Sequence, residues 1–226
     1  MKTPWLKIDG HHFFPKPYST LYSLRMTSIY GICGFAGSGK DTLANYLIEH
    51  HGYVKLSFAG AVKDAVSFIF GWDRAMLEGD TKESRAWREV EDPWWSQRLG
   101  FPGFSPRKAL QMIGTDVFRN HFHEDIWIAA LENKLRKYPK VVITDCRFPN
   151  EIAMIRRLGG SILHITRGES PEWFHAVQQG SGEAPTNIHV SETAWIPHTK
   201  EAIHIPNDSS LDNLYNTLKQ ILSPSV

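Results

Sequence analysis

The sequence predicts an α/β fold in three layers, α/β/α, around a five-stranded, mostly parallel sheet. Three observations predict it. Short apolar runs alternate with segments of helical period along most of the chain. One run, KVVITD (Lys140 to Asp145), is continuously apolar up to its acid, the pattern of a strand buried on both faces. A glycine-rich loop, GFAGSGKDT (Gly34 to Thr42), stands between a strand pattern and a helix pattern.

The elements follow in order. Residues 1–27 mix Pro, aromatic residues and His without a period and are expected as an irregular extension, with Met26 a possible alternative start. The His11-His12 pair has no third ligand beside it and is expected as a polar surface feature. SIYGIC (Ser28 to Cys33) is a short buried strand. Past the loop, Leu43, Leu47 and Ile48 share one helical face, and Gly52 supplies the stop. YVKLSF is the second strand. In AGAVKDAVSFIFG, Val62, Val66, Ile69 and Phe70 are expected toward a core. Residues 72–103 are charged, Trp-rich and broken by Pro93 and Pro102, and are expected as a mobile helix-and-loop segment. Ser105 and Pro106 mark the N-cap and first turn of a helix running through SPRKALQMIGTDVFRNHF. EDIWIAALENKLRKYP is another helix, with Trp127 in the core and Pro139 as its end. After KVVITD come the helix PNEIAMIRRLGG and the strands SILHIT and AIHI. A last amphipathic helix has Leu211, Leu214, Leu218 and Leu222 in phase. The main domain is therefore expected over 28–226, with a helical insertion at about 60–125 and a polar one at about 167–198.

Composition narrows the function classes. The 226 residues, 42% of them hydrophobic, suffice for one domain with insertions. A formal net charge of +1 argues against bulk nucleic-acid binding, and no basic-aromatic module appears. Two cysteines, Cys33 and Cys146, are too few for a disulfide framework and are expected as ordinary small residues in a reducing compartment. No apolar run is long enough to span a membrane, and the N-terminus lacks a signal-peptide core, so a cytoplasmic location is expected.

The loop carries the chemistry. Its spacing, G-x-x-x-x-G-K, lets backbone N–H groups converge on a phosphate at a helix start, with Lys40 reaching the outer phosphates. Asp41 stands where a hydroxyl usually follows the Lys, and the hydroxyl comes one residue later, at Thr42. In this, Gly34, Gly37, Gly39, Lys40 and Thr42 resemble the P-loop of nucleoside monophosphate kinases. Asp41 either holds a metal-bound water or acts as a first-turn acid favoured by the helix dipole.

A narrower resemblance rests on GFAGSGKDTLA, LSFAGAVKD, PRKALQMIGTDVFRN, DIWI, VVITDCRFPNEIAMIRRLGG, HITR and HVSE, in that order. Together these blocks resemble the phage-type deoxynucleoside monophosphate kinases over most of the chain beyond Ile29. The resemblance implies transfer of the ATP γ-phosphoryl group to a deoxynucleoside monophosphate, with Mg²⁺, in the host cytoplasm if the source is viral, and allows a homodimer. It implies an ATP site of Gly34, Gly37, Ser38, Gly39, Lys40, Asp41, Thr42 and Arg167. Lys40, Arg119 and Arg147 are then candidates for the transfer step. Lys63, Arg107, Gln111, Asp145 and Glu151 are candidates for the acceptor, and Thr42 and Asp145 for Mg²⁺ through water. Each has an alternative. Lys63 is otherwise a solvated helix lysine, Arg107 and Gln111 part of an exposed N-terminal turn, Arg119 the partner of a carboxylate such as Asp116, Asp145 the partner of Arg147, and Arg167 a solvated arginine of a surface loop. Asn150 and Glu151 otherwise cap a helix. The insertion near 167–198 is expected as a lid that excludes water, with His189, Ser191 and Glu192 in a structural or closure role.

Two other functions fit the loop alone: another P-loop kinase of small metabolites, such as a phosphorylated alcohol, and a nucleotide-binding switch. Basic residues beyond the loop favour a second substrate, which a switch does not need.

Overall fold

The computed structural model describes residues 28–188 and 190–222. The expectations on residues 1–27, including His11-His12, and on His189 lie outside these residues. Among the described residues the sheet has five strands: β1 (Ser28–Cys33), β2 (Val54–Leu56), β3 (Lys140–Ile143), β4 (Ser161–Thr166) and β5 (Ile203–Pro206). Their order is β2-β3-β1-β4-β5, and every neighbouring pair is parallel. The expected "mostly parallel" sheet is thus parallel throughout the described residues.

Alternation along β3 explains the layers. Val141 and Ile143 face one core and Val142 the other. On the Val142 side pack α1 (Lys40–His51) and α10 (Leu211–Leu222), through Leu43, Leu47, Leu214 and Leu218. On the other side pack α7 (Ile126–Leu135), α8 (Pro149–Arg157) and α9 (Glu172–Gln179), through Ile128, Leu131, Ile152, Ile155 and Phe174. Fully burying one such leucine contributes about 1.5–3 kcal/mol. Leu211 stays exposed at the start of α10, one turn outside the packed stripe.

A third core lies in the insertion after β2. Helix α2 (Gly60–Phe70) contributes Val62 and Val66, but Ile69 is exposed, contrary to expectation. Its last turn runs past the surface that packs, so only Phe70 turns back. The segment 72–103 forms three short helices: α3 (Arg74–Glu78), α4 (Lys82–Glu89) and α5 (Pro93–Leu99). Asp73, Thr81 and Asp92 cap them, accepting from Ala75 N (2.6 Å), Ser84 N (3.0 Å) and Trp95 N (3.1 Å). Phe70 stacks on Trp72 at 4.6 Å and meets Trp95 edge-on at 4.9 Å. The next expected helix starts as α6 (Pro106–Gln111) under its Ser105 cap, then widens into a π-helical stretch, Met112–Phe122. There His123 N bonds back to Phe118 O at 2.9 Å. Trp127 is buried and donates to Gly114 O at 2.8 Å.

The expected lid divides in two. Phe174, Val177, Trp195 and Ile196 belong to the core against the sheet. Among the described residues of this segment, the short 3₁₀ turn Val190–Glu192 brings polar groups, Ser191 and Glu192, to the cleft described next. Among the described residues, no helix is long and apolar enough to cross a membrane.

Candidate functional site

The carboxyl ends of β1, β2 and β3 open into a cleft of about 710 Å³. That is where ligands bind in open parallel sheets. The glycine loop forms its floor. Gly34 adopts φ 152° and Gly39 φ 105°, backbone that side chains rarely take. A Cβ at Gly34 would strike the Ile165 carbonyl, and one at Gly39 would meet Asn207 Nδ2 at 2.5 Å. Asn207 also donates to Ser38 O at 2.9 Å, so the residue after β5 clamps the loop from behind. Phe35 locks it from the lid side, 5.2 Å from Trp195 and 5.9 Å from Phe174 between ring centres.

Lys40 begins α1 and donates to Gly34 O and Phe35 O, both at 2.8 Å. It has one N–H left for an anion. Burial lowers its pKa, and the nearby Arg147 adds to the effect. Ser38 Oγ is buried without a hydrogen-bond partner. A cradle of positive-φ glycines, an unpartnered buried hydroxyl and a lysine at a helix start fit a chain of phosphates.

Asp41 lines the cleft and pairs with Lys55 of β2 at 3.0 Å. Its side chain is exposed and stands in the first turn of α1. Asp145, just past β3, also lines the cleft and accepts from Phe58 N and Ala59 N, each at 3.1 Å. Burial raises its pKa, against the pull of the Ala59 and Phe58 N–H groups. It does not pair with Arg147, whose Nη1 reaches Glu192 at 2.8 Å from the edge of the cleft. The structure thus brings Lys40, Asp41, Lys63, Asp145 and Arg147 to one cleft.

Other candidates sit elsewhere. Thr42, Arg107, Gln111 and Arg167 do not line the cleft, nor do Arg119 and Glu151. Arg119 pairs with Glu151 at 3.4 Å, not with Asp116, and lies over the Phe148 ring at 5.2 Å. Glu151 is buried and accepts from Arg147 N (2.8 Å) and Phe148 N (3.1 Å), the helix-start role left open by the sequence. Among the described residues, no three His, Cys, Asp or Glu side chains gather as a metal site.

Burial pushes Glu151 up to about 7, with the Arg147 N–H opposing. The native state therefore holds a proton that the unfolded chain releases. Its contribution is fully present below the ordinary carboxyl range and is lost as pH rises through about 7. Between pH 5.5 and 8, the wild type should lose on the order of 2 kcal/mol more unfolding free energy than Glu151→Gln. Urea unfolding at the two pH values checks this; parallel curves would refute it.

Four cleft cations have no counterpart in the sequence reading: Lys55, Arg74, Arg85 and Lys134. Arg74 bonds Glu78 Oε2 and Asp64 Oδ1, each at 2.6 Å, and Lys63 bonds Glu78 Oε1 at 2.6 Å. Burial alone would raise the Glu78 pKa, but its bonds from Lys63 and Arg74 hold it below the ordinary value. Asp73, the cap that starts α3, is the local signal that could have located this wall.

A family model described as deoxynucleotide monophosphate kinase matches residues 102–218, just over half of the chain. The glycine loop lies outside that span and is an independent observation. The chain is 29% identical over 202 residues to a putative deoxynucleotide monophosphate kinase of Acanthamoeba polyphaga mimivirus, covering 83% of this chain and 92% of that one. It is 32% identical over 181 residues to a deoxynucleoside-5'-monophosphate kinase of Escherichia phage T5, covering 58% and 72%. To the deoxynucleotide monophosphate kinase of Enterobacteria phage T4 it is 22% identical over 247 aligned positions, covering 84% and 97%.

Proposed function

Because the chain belongs to the deoxynucleotide monophosphate kinase family, we propose that it transfers the γ-phosphoryl group of ATP to a deoxynucleoside monophosphate. The products are ADP and a deoxynucleoside diphosphate. One observation carries the reading beyond nucleotide binding: the cleft holds the glycine loop with Lys40 and a second cationic wall of Lys63, Arg74 and Arg85. A nucleotide switch needs only the first.

Phosphoryl transfer asks for alignment and for positive charge around the moving group. In this reading the loop N–H groups, Ser38 and Lys40 hold the donor phosphates. Arg147 reaches the transferred group once it leaves Glu192. Arg119 acts through Glu151, which fixes the backbone at Arg147. Lys63 receives the acceptor's phosphate, and Arg107, Gln111 and Arg167 approach the nucleotides if the insertions close. Of the two residues expected to hold Mg²⁺ through water, Asp145 lines the cleft and would hold the ion there, where it would neutralise phosphate charge, whereas Thr42 lies outside the lining. The named relatives are viral, and the proposed place of action is the host cytoplasm.

The test offers the purified protein Mg-ATP with each deoxynucleoside monophosphate in turn and measures ADP and diphosphate. At least one is expected to accept phosphate. If none does, while a phosphorylated alcohol does, the acceptor assignment is wrong.

A further inference from the structure

Resting on that reading, we propose that Glu78 is a positioning residue that sets Lys63 and Arg74 side by side as one receptor for the acceptor's phosphate. Lys63 comes from α2, and Arg74 starts the helix that Glu78 ends. Glu78 splits its carboxylate between them, Oε1 to Lys63 Nζ and Oε2 to Arg74 Nη1, both at 2.6 Å. Its backbone carbonyl also accepts from Lys63 at 3.3 Å. Two like charges brought this close repel unless an acid lies between them.

The rest of the network keeps the balance positive. Asp64 accepts from Arg74 Nε at 2.6 Å and lies 3.9 Å from Lys134 Nζ. Three cations, Lys63, Arg74 and Lys134, thus stand against two carboxylates, Glu78 and Asp64. All three cations and Glu78 line the cleft. The surplus charge, with unspent N–H groups on Lys63 and Arg74, suits a dianionic phosphate monoester. The receptor shares its cleft with Lys40, as in-line transfer requires of the acceptor's phosphate. Both oxygens of Glu78 are already taken, so it serves by orienting its neighbours and not by touching substrate.

Glu78→Gln keeps the shape and removes the charge. The deoxynucleoside monophosphate that the wild type uses best is titrated into each protein without ATP by calorimetry. KM is then measured for both substrates. Glu78→Gln is expected to raise the Kd and KM for the monophosphate about tenfold or more, with the KM for ATP within about twofold. Arg74→Gln, on a side chain about one-third exposed, should shift the same constants in the same direction if Glu78→Gln folds poorly. Unchanged monophosphate affinity in both variants overturns the receptor. So does an equal rise in both KM values, which marks general loosening. A wild type that phosphorylates no deoxynucleoside monophosphate overturns the kinase reading first, and the receptor with it.

Discussion

Lys40→Met is expected to lower kcat by roughly 10²–10³-fold or more while leaving the fold intact. The side chain starts α1, and its two bonds go to carbonyls of its own loop. Removing it deletes the one loop ammonium able to meet charge developing on the transferred phosphoryl group. The glycines, Asn207 and Phe35 shape the loop without it. Circular dichroism and thermal unfolding should match the wild type. Retained turnover would remove this loop as the donor site.

Asp145→Asn is expected to lower both stability and activity. The carboxylate binds the backbone N–H groups of Phe58 and Ala59 with separate oxygens. An amide offers one oxygen, so one N–H loses its partner and faces an NH₂ group, at about 1–3 kcal/mol. Those two residues lead directly into α2, which carries Lys63. Displacing that helix start by a fraction of an ångström moves Lys63 within the cleft, and kcat/KM should fall about 10²-fold. Denaturant unfolding and steady-state kinetics read the two effects. Wild-type values for both would show that Asp145 neither holds the turn nor serves the reaction.

The sheet was legible because each strand announces itself as an apolar run bounded by turn residues. Strand order was not, since pairing is decided by which faces meet. The loop was legible because its chemistry is local: glycines, a lysine and a helix start within nine positions. The cationic wall of the cleft was harder. Arg74, Arg85 and Lys134 lie on polar helix faces that read like any solvated surface, and only the fold makes that surface concave. Arg119 and Glu151 meet across 32 positions, a distance that no local pattern spans. Ile69 fits the helical period, yet the period says nothing of where the packing partner ends.

The strand order bears on how the chain reaches its native state. The central strand β1 does not pair with β2, the strand that follows it. Ser28 meets Lys140, 112 positions later, and Tyr30 meets Ser161. Until that much of the polypeptide has been made, β1 lacks the partners it has among the described residues, and its amide groups bond water instead. Closing loops of that length is slow, because the entropy cost comes before the reward. The insertion core of Trp72, Trp95 and Phe104 is built from nearer neighbours. It is expected to gain protection from hydrogen exchange earlier in refolding than β1, so that the cationic wall is ordered before the strand that carries the glycine loop.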